Sequence, residues 1–227
     1  MNLNYDKIIV FAAHSDDEAI GCGGTLHKIR NSNGEIGIVY FTDGTSSRNN
    51  SNKIDSNKRK HASQYACAEL NVQFNTNLGY PDNNLRSIDF LRIVKDVEKL
   101  IHDFKPNLII THSNKDLNID HRIVFDAVLT ASRPLDYNSF CKEIICFETA
   151  SSTEWAFGSY SCFNPDTYVD ISDVIEEKIK LLNIYKEEMR ENYHPRSIEN
   201  IIAKNKLRGS EVNVGYAEGF ETLRRII

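Results

Sequence analysis

Short apolar runs alternate along the chain with longer segments in which apolar residues recur at helical spacing. The continuous apolar runs predict buried strands at residues 7–13, 36–42, 107–111 and 143–148, with a shorter strand at 72–78. Helical spacing predicts helices at 16–31, 58–70, 119–132 and 197–208. Ser87 is a candidate N-cap of one further helix, and Asp170 or Ser172 of another that reaches about residue 191. The polar stretch 44–58 predicts a loop.

This alternation of strands and helices predicts an α/β fold, a doubly wound, Rossmann-like and mostly parallel sheet flanked by helices. The 227 residues suffice for one domain, and the sequence has neither an internal repeat nor a clear boundary. We expect a core at about 5–150 and a helical extension at about 151–227 packed on it. The commonest strand order, 3-2-1-4-5, places the strand at 107–111 beside the strand at 7–13.

Composition narrows the class of protein. The net charge of −5 argues against a nucleic-acid partner, because general nucleic-acid binders need a basic face. The N-terminus lacks the features of a signal peptide, and no apolar stretch approaches the roughly 18 residues that span a bilayer. Five scattered cysteines favour reduced thiols and therefore a cytoplasmic protein. The sequence leaves open whether the protein forms a homo-oligomer.

The first chemical motif follows the strand at 7–13. It reads His14-Ser15-Asp16-Asp17-Glu18 and then Gly21-Cys22-Gly23-Gly24. His14 and Asp17 are three residues apart, so a tight turn can direct both at one metal ion, and imidazole with carboxylate is a zinc ligand set. Asp16 lies between them and must point elsewhere, as a base beside the metal would. The alternative is that these are ordinary first-turn acids next to a core histidine.

The glycines in this motif also suggest a dinucleotide site, but their position excludes it. A phosphate-binding loop begins as the strand ends, with glycine amides facing the pyrophosphate. Here three acids occupy that place and would repel a phosphate. The glycines come a turn later, where they allow the helix to pack closely on the sheet.

The second motif follows the strand at 107–111 and contains His112 and, further on, Asp120-His121. If the two strands are neighbours, His121 meets His14 and Asp17 at the carboxyl edge of the sheet. Three protein ligands and a water then make an open, catalytic zinc site. Asp120 is placed to orient an imidazole or the nucleophile. Taken alone, an Asp-His pair in a loop more often lies on the surface and contacts only solvent.

Together the two motifs resemble the PIG-L/LmbE family of metal-dependent N-deacetylases of sugars and sugar conjugates. The similarity extends over about residues 5–150 and includes the loops Thr42-Asp43-Gly44 and Leu78-Gly79-Tyr80-Pro81-Asp82. Ser15 replaces the proline that is usual in the first motif. The resemblance implies that His14, Asp17 and His121 bind Zn²⁺, or another divalent transition metal, and that Asp16 is the general base.

One departure from the family pattern concerns the residue that would donate a proton during the reaction. Many members of the family have a histidine three residues before the last ligand, and this chain has Asn118 there. Asparagine can donate a hydrogen bond to an oxyanion but cannot supply a proton. Either Asp16 carries the proton in both directions or another group reaches the site. His194 is the candidate for that proton-donating group, although its position fits a surface histidine equally well. His112 is expected to support the metal ligands without binding the metal itself.

Candidate substrate-binding residues follow the strand at 143–148, at the same edge of the sheet. Hydroxyl groups, two acids and the only tryptophan suit a sugar, although the segment is equally well an ordinary loop. Arg196 and Arg48 are candidates for pairing with a phosphate or carboxylate of the substrate. The full set of candidates is Arg48, Asp82, Glu148, Glu154, Trp155 and Arg196.

These observations predict a zinc hydrolase that removes the N-acetyl group from a small amino sugar, such as a sugar nucleotide or a glycoconjugate precursor. Two alternatives remain open. One is a metal-dependent amidase of another N-acyl or thiol conjugate, which would have the same ligands. The other is a non-catalytic module that binds a sugar or a nucleotide and holds no zinc.

Overall fold

The computed structural model describes residues 5–42, 44, 53–135, 140–158 and 162–227, with the backbone alone for 53–56. These residues form one sheet of seven strands: β1 (Lys7–Ala12), β2 (Glu35–Thr42), β3 (Phe74–Tyr80), β4 (Leu108–His112), β5 (Glu143–Phe147), β6 (Thr167–Asp170) and β7 (Ala217–Arg225). The strand order is β3-β2-β1-β4-β5-β7-β6. The first five strands are parallel, whereas β7 runs antiparallel to both β5 and β6. The predicted doubly wound α/β fold is therefore confirmed.

Helices cover both faces of this sheet: α1 (Asp17–Asn31), α2 (Lys53–Glu69), α3 (Phe90–Phe104), α4 (Ile119–Ala131), α5 (Ile175–Ile184) and α6 (Ile198–Glu211). One core lies between the sheet and α1, α2, α5 and α6, and a second lies between the sheet and α3 and α4. Alternate residues of β1 belong to the two cores, which is why β1 is apolar at successive positions. No helix in the described ranges has both the length and the apolar character of a bilayer span.

The pairing of β1 with β4 positions the two motifs. Phe11 of β1 lies opposite Thr111 of β4, so the two strands end side by side. The backbone N–H of Ala13 then donates to Nε2 of His112, at 2.9 Å. Because β2 lies on the other side of β1, this is the point at which the strand order reverses. Ligands of open α/β sheets bind at such switch points.

Helix α1 is broken at Cys22, where the backbone leaves helical geometry (φ −142°). A buried ion pair satisfies the backbone groups that the break exposes. Lys178 of α5 donates to the carbonyl of Ile20 at 3.0 Å, and Glu218 of β7 accepts from the backbone N–H groups of residues 24 and 25. Lys178 and Glu218 also pair with each other at 2.5 Å, and both are almost fully buried. The break is thus stabilised from α5 and β7.

The glycines of the first motif serve packing, as predicted. A Cβ atom at Gly24 would come within 2.8 Å of Ile171 Cγ2, and one at Gly23 within 2.9 Å of Leu181 Cδ2. Gly21 faces the ring of Phe147 in β5 with no room for a side chain. Helix α1 therefore approaches the sheet and α5 more closely than a helix with side chains at these positions could.

Several element boundaries differ from the sequence predictions. Ser87 is not an N-cap, because it lies in a 3₁₀ turn and Asp89 caps α3 by accepting from the N–H of Leu91 at 3.0 Å. Helix α2 begins at Lys53, within the stretch predicted to be a loop. Helix α5 ends at Ile184 rather than near residue 191.

The predicted helical extension at 151–227 is wrong in part, since it contains β6 and β7 as well as α5 and α6. Strand β7 carries Glu218 and Glu221, which are buried beside lysines. These charged residues interrupt the apolar pattern by which buried strands are recognised. The C-terminal segment therefore extends the sheet in addition to covering it.

Candidate active site

A cavity of about 180 Å³ lies at the carboxyl edge of the sheet, above β1 and β4. It is lined by residues from both motifs, from the turn after β3, from the loop after β5, from α2, and from the segment between α5 and α6. These residues are His14, Gly44, Arg59, Asp82, Asn83, Asn118, His121, the four residues 149–152, Glu188, Arg190 and Arg196. Almost all of them are polar, so the cavity suits a polar ligand.

The three predicted metal ligands converge. His14 Nδ1 lies 3.2 Å from Asp17 Oδ2 and 3.3 Å from His121 Nε2, and the last two atoms are 3.5 Å apart. In a tetrahedral zinc site with bonds of about 2.0–2.1 Å, ligand atoms stand about 3.3 Å from one another. All three residues are buried. Their donor atoms can therefore hold one metal ion.

Carboxylates stand behind both imidazoles. The second nitrogen of His14, Nε2, lies 3.1 Å from Asp82 Oδ1 and 3.6 Å from Asp120 Oδ2. The second nitrogen of His121, Nδ1, lies 3.0 Å from Asp116 Oδ2. A carboxylate at the far nitrogen fixes the ring orientation and increases the basicity of the nitrogen that binds metal. Asp120 was predicted in this position, whereas Asp116 was not.

The charges around His14 and Asp17 favour the binding of a cation. Burial opposes protonation of His14, yet the carboxylates of Asp120, Asp17 and Asp82 together raise its pKa well above the ordinary value. Burial would raise the pKa of Asp17, but the neighbouring imidazoles of His121 and His112 hold it well below the ordinary value. An environment that attracts a proton to His14 and keeps Asp17 ionised would equally attract a metal ion.

His112 lies behind the ligands and is fully buried. Its ring stacks on that of His121 at a centroid distance of 3.9 Å, and its Nε2 lies 3.4 Å from Asp17 Oδ2. Burial, with the charge of His121, lowers the pKa of His112 to about 4. Because Nε2 accepts from the N–H of Ala13, its lone pair is occupied, and we do not count His112 as a metal ligand.

Asp16 has an unusual backbone conformation, with φ 131° and ψ −24°. This region is rarely adopted by non-glycine residues and costs about 1–3 kcal/mol. The Glu18 carboxylate accepts from the N–H of Asp16 at 3.1 Å and thereby helps to hold the conformation. Arg196 Nη2 lies 3.1 Å from Asp16 Oδ2 and 3.7 Å from Asp17 Oδ1, so the two adjacent carboxylates face one guanidinium.

Two arginines contact the Asp16 carboxylate. Arg196 donates to Oδ2 at 3.1 Å, and Arg59 donates to Oδ1 at 3.3 Å. Burial raises the pKa of Asp16, and the charges of Arg196 and Arg59 oppose that rise without cancelling it. Asp16 and Asp17 are adjacent in sequence, yet their pKa values are shifted in opposite directions. Such divergence is typical of a ligand and a base that share one site.

Asn118 caps helix α4 and also lines the cavity. Its Oδ1 accepts from the N–H of Asp120 at 2.8 Å, which leaves the side-chain NH₂ group as a donor. That group lies 3.4 Å from Asn83 Oδ1, another residue of the cavity wall. The cap therefore orients the amide so that its donor, rather than its acceptor, is available to a ligand.

The structure does not bring His194 into the cavity. Its Nδ1 accepts from the N–H of Arg196 at 3.1 Å, and its ring packs edge-on against Trp155 at a centroid distance of 5.1 Å. Neither ring belongs to the cavity wall. We therefore assign no proton-donor role to His194, and Trp155, which is 38% exposed, is at most an outer contact for a ligand.

Two other candidate substrate-binding residues are held by ion pairs away from the cavity. Arg208 donates to both carboxylate oxygens of Glu148, at 2.8 and 2.9 Å. Lys204 pairs with Glu154 at 2.8 Å. Because these acids already have cationic partners, their predicted contact with substrate is not supported by the geometry. Arg48 lies outside the described residues, whereas Asp82 and Arg196 line the cavity as predicted.

Sequence reasoning missed several residues of the site, among them Arg59, Asp116, Glu188 and Arg190. Arg59 is buried and joins the first motif to Gly44, donating to that carbonyl at 2.6 Å, and to Glu188 at 3.1 Å. Arg59 lies on a charged helix, and the other three lie in polar segments. Nothing in their local spacing distinguishes them from solvent-exposed residues, so only their position in the fold reveals them.

Comparison with known proteins identifies the family. The family described as PIG-L, GlcNAc-PI de-N-acetylase, matches residues 9–132. A probable N-acetyl-α-D-glucosaminyl L-malate deacetylase 2 of Bacillus subtilis is 25% identical over 195 residues, which cover 80% of this chain and 82% of the relative. A diacetylchitobiose deacetylase of Thermococcus kodakarensis is 26% identical over 196 residues, covering 82% and 71%. The predicted family and class of enzyme, a metal-dependent N-deacetylase of acetylated sugars, are confirmed.

Solved structures show the same fold. The N,N′-diacetylchitobiose deacetylase of Pyrococcus horikoshii superposes with a TM-score of 0.78 at 20% identity, covering 97% of this chain and 85% of that one. GalB, a 4-carboxy-2-hydroxymuconate hydratase of Pseudomonas putida, superposes with a TM-score of 0.76 at 16% identity, covering 97% and 98%. Since the same fold supports a hydratase, the reaction has to be argued from the site.

Proposed function

Because the chain belongs to the PIG-L family, we propose that it hydrolyses the acetamide of a small N-acetylated amino sugar, releasing acetate and the free amine. The observation that carries this proposal is the meeting of His14 Nδ1, Asp17 Oδ2 and His121 Nε2, which lie 3.2–3.5 Å apart, with both histidines in the wall of a polar cavity. Asp16 is next to Asp17 in sequence, and its carboxylate contacts Arg196 and Arg59 instead of the three proposed ligand atoms. Three ligands and a separate base are the parts that metal-assisted amide hydrolysis requires.

The proposed metal is Zn²⁺, held by His14, Asp17 and His121. Two imidazoles and one carboxylate are a common catalytic ligand set for zinc, and three protein ligands leave a coordination position free. When bound, the metal polarises the amide carbonyl and lowers the pKa of a water molecule. Asp116 and the pair Asp82 and Asp120 keep the two histidines in the orientation that ligation needs.

Asp16 is the proposed general base. It accepts the proton of the attacking water and then delivers it to the nitrogen of the departing amine. Burial supports both halves of this role, because it raises the pKa of Asp16 and so brings it closer to neutrality. No other acid is assigned to the leaving group, because His194 Nδ1 accepts from the N–H of Arg196 and its ring packs against Trp155.

Asn118 is the proposed donor to the developing oxyanion. Its side-chain NH₂ group belongs to the cavity wall, and the cap of α4 fixes its orientation. A donor that is already oriented stabilises the tetrahedral transition state without reorganisation. Because an amide cannot release a proton, Asn118 contributes a hydrogen bond only, and the transfer of protons stays with Asp16.

The proposed substrate class is an N-acetylglucosamine conjugate. The relatives from Bacillus subtilis and Thermococcus kodakarensis are named for a glucosaminyl malate and for diacetylchitobiose, both of which contain this sugar. Asp82 and Arg196 line the cavity and are the proposed partners of sugar hydroxyl groups. The proposed location is the cytoplasm, because all five cysteines are unpaired.

The test is a measurement of metal content together with acetate release. We expect about one zinc per chain and release of acetate and amine from an N-acetylglucosamine conjugate, both lost after treatment with a chelator. Asp16→Asn should keep the metal and lose turnover, whereas the control Asp103→Asn, on the exposed end of α3, should keep both. Full turnover by Asp16→Asn, or zinc retained by the double variant His14→Ala/His121→Ala, would refute the proposal.

A further inference from the structure

Among the residues that the structure describes, three arginines line the cavity, and they differ in what their side chains contact. Arg59 is buried and bound to Glu188, Asp16 and backbone carbonyls. Arg196 uses one nitrogen for Asp16, at 3.1 Å, and is mostly buried. Arg190 is exposed, and its guanidinium forms neither a hydrogen bond nor an ion pair with any residue in the described part of the chain. Arg190 is therefore a cation at the cavity whose charge is not neutralised by any residue in the described ranges.

The backbone around Arg190 is held in place. Arg190 lies in the segment between α5 and α6, and its N–H donates to the carbonyl of Arg196 at 3.2 Å. Within the same loop, the N–H of His194 donates to Glu191, and the N–H of Ser197 donates to His194. The loop thus closes on itself beside the cavity. The backbone that carries Arg190 is therefore held in one conformation by these hydrogen bonds.

The acids of the cavity wall do not compensate Arg190. Asp82 lies 3.1 Å from His14 Nε2, and Glu188 lies 3.1 Å from the guanidinium of Arg59. Arginines without partners are common on protein surfaces and by themselves indicate nothing. Arg190 differs because it belongs to the wall of the cavity that contains the metal ligands, next to a second arginine that is committed to Asp16.

The size of the cavity indicates which part of a substrate Arg190 would meet. Its volume is about 180 Å³, below the roughly 300–1,000 Å³ that is typical for drug-sized ligands. A single sugar ring with its acetamide at the metal ligands would occupy most of this space. The group attached to the sugar must then lie at the rim, and the exposed side chain of Arg190 is located there.

We infer that Arg190 binds an anionic group on the aglycone of the substrate. This inference rests on the proposed function, because it assumes that the sugar ring occupies the cavity. Arginine is suited to the task, since its planar guanidinium forms paired hydrogen bonds with a carboxylate or a phosphate. The substrate class is therefore an N-acetylated amino sugar that carries a negative charge outside the ring.

The experiment compares three substrates in the zinc-loaded enzyme: N-acetylglucosaminyl malate, N-acetylglucosamine 1-phosphate and methyl N-acetyl-α-glucosaminide. We expect Arg190→Met to raise KM for the better of the two anionic substrates about 10-fold, with kcat unchanged and with no effect on the neutral substrate. Arg190→Lys should recover part of the loss, and the control Lys180→Met, on the exposed face of α5, should alter none of the three. Whichever anionic substrate responds identifies the ligand as carboxylate or phosphate.

Salt and direct binding provide further readouts. Raising the ionic strength should raise KM for the anionic substrate in the wild type and have less effect in Arg190→Met, because salt screens an exposed ion pair. An equal effect of Arg190→Met on charged and neutral substrates, or no effect on either, would overturn the inference while leaving the deacetylase intact. If no N-acetyl sugar is turned over but calorimetry shows binding of the anionic sugar that depends on Arg190, the proposed reaction fails and the anion site stands.

Discussion

Asp116 Oδ2 lies 3.0 Å from Nδ1 of His121, the nitrogen that faces away from the proposed metal. Both residues are almost fully buried. Asp116 is itself fixed by the hydroxyl groups of Ser152 and Thr153 and by the N–H of Asn118. The loop after β5 therefore contacts His121, the proposed metal ligand on α4, through one carboxylate.

The first prediction concerns this carboxylate. Asp116→Asn keeps an oxygen for the hydrogen bonds but removes the negative charge that makes His121 a stronger ligand. We expect the affinity for zinc to fall about 10–100-fold, measured by competition with a chromophoric chelator. Asp126→Asn, on the exposed face of the same helix, is the matched control. An affinity equal to that of the wild type would show that Asp116 does not act through the metal ligand.

A second prediction separates the two roles of Asn118. Asn118→Ser keeps a side chain that caps α4 but has no amide group to reach an oxyanion. We expect the melting temperature to change little and kcat to fall about 100-fold, a typical effect of losing one oxyanion donor, with KM nearly constant. Asn183→Ser, on the surface of α5, controls for loss of an amide. A fall in stability with unchanged kcat would reduce Asn118 to a helix cap.

A third prediction concerns removal of the metal. His14, Asp17, Asp82 and Asp120 form a buried cluster, so a bound cation should stabilise the fold as well as the reaction. Free zinc at about 1,000 times its Kd adds about 4 kcal/mol, which for a chain of this length corresponds to a rise in Tm of about 10 °C. Calorimetry measures the Tm of three samples: chelator-treated protein alone, the same protein with zinc added back, and the same protein with magnesium added back. Equal melting temperatures in all three samples would contradict a zinc site.

A fourth prediction tests the buried ion pair that supports the break in α1. Lys178→Met leaves the carboxylate of Glu218 buried without its cation, and we expect the free energy of unfolding to fall by about 3–5 kcal/mol. The double variant Lys178→Met/Glu218→Gln should lose less, because no uncompensated charge remains. Unfolding in urea gives both values.

The exposed pair Lys28 and Asp173 supplies the comparison for this measurement. A surface ion pair contributes about 0–1 kcal/mol, so Lys28→Met should lower the free energy of unfolding by no more than that. A loss in Lys178→Met as small as in Lys28→Met would show that the break in α1 does not depend on the buried pair.

Much of the fold was predictable because its signals are local. A strand buried on both faces must be apolar at successive positions, and β1, β2, β4 and β5 all are. The C-terminal strands were not predictable in the same way. Glu218 and Glu221 are tolerated in β7 only because Lys178 and Lys115 reach them from distant parts of the chain. Local pattern cannot reveal a compensation that tertiary contacts provide.

The sequence alone determined which residues of the site could be recognised as a group. His14, Asp16 and Asp17 are close in the chain and follow a buried strand, so their chemistry could be inferred from spacing, and the pairing of β1 with β4 brings His121 to them as expected. Only the tertiary structure decided what surrounds that group. Arg59, Asp116, Glu188 and Arg190 come from separate segments with no motif, because an ion pair or a cavity wall depends on distance in space and leaves no mark in the local order of residues.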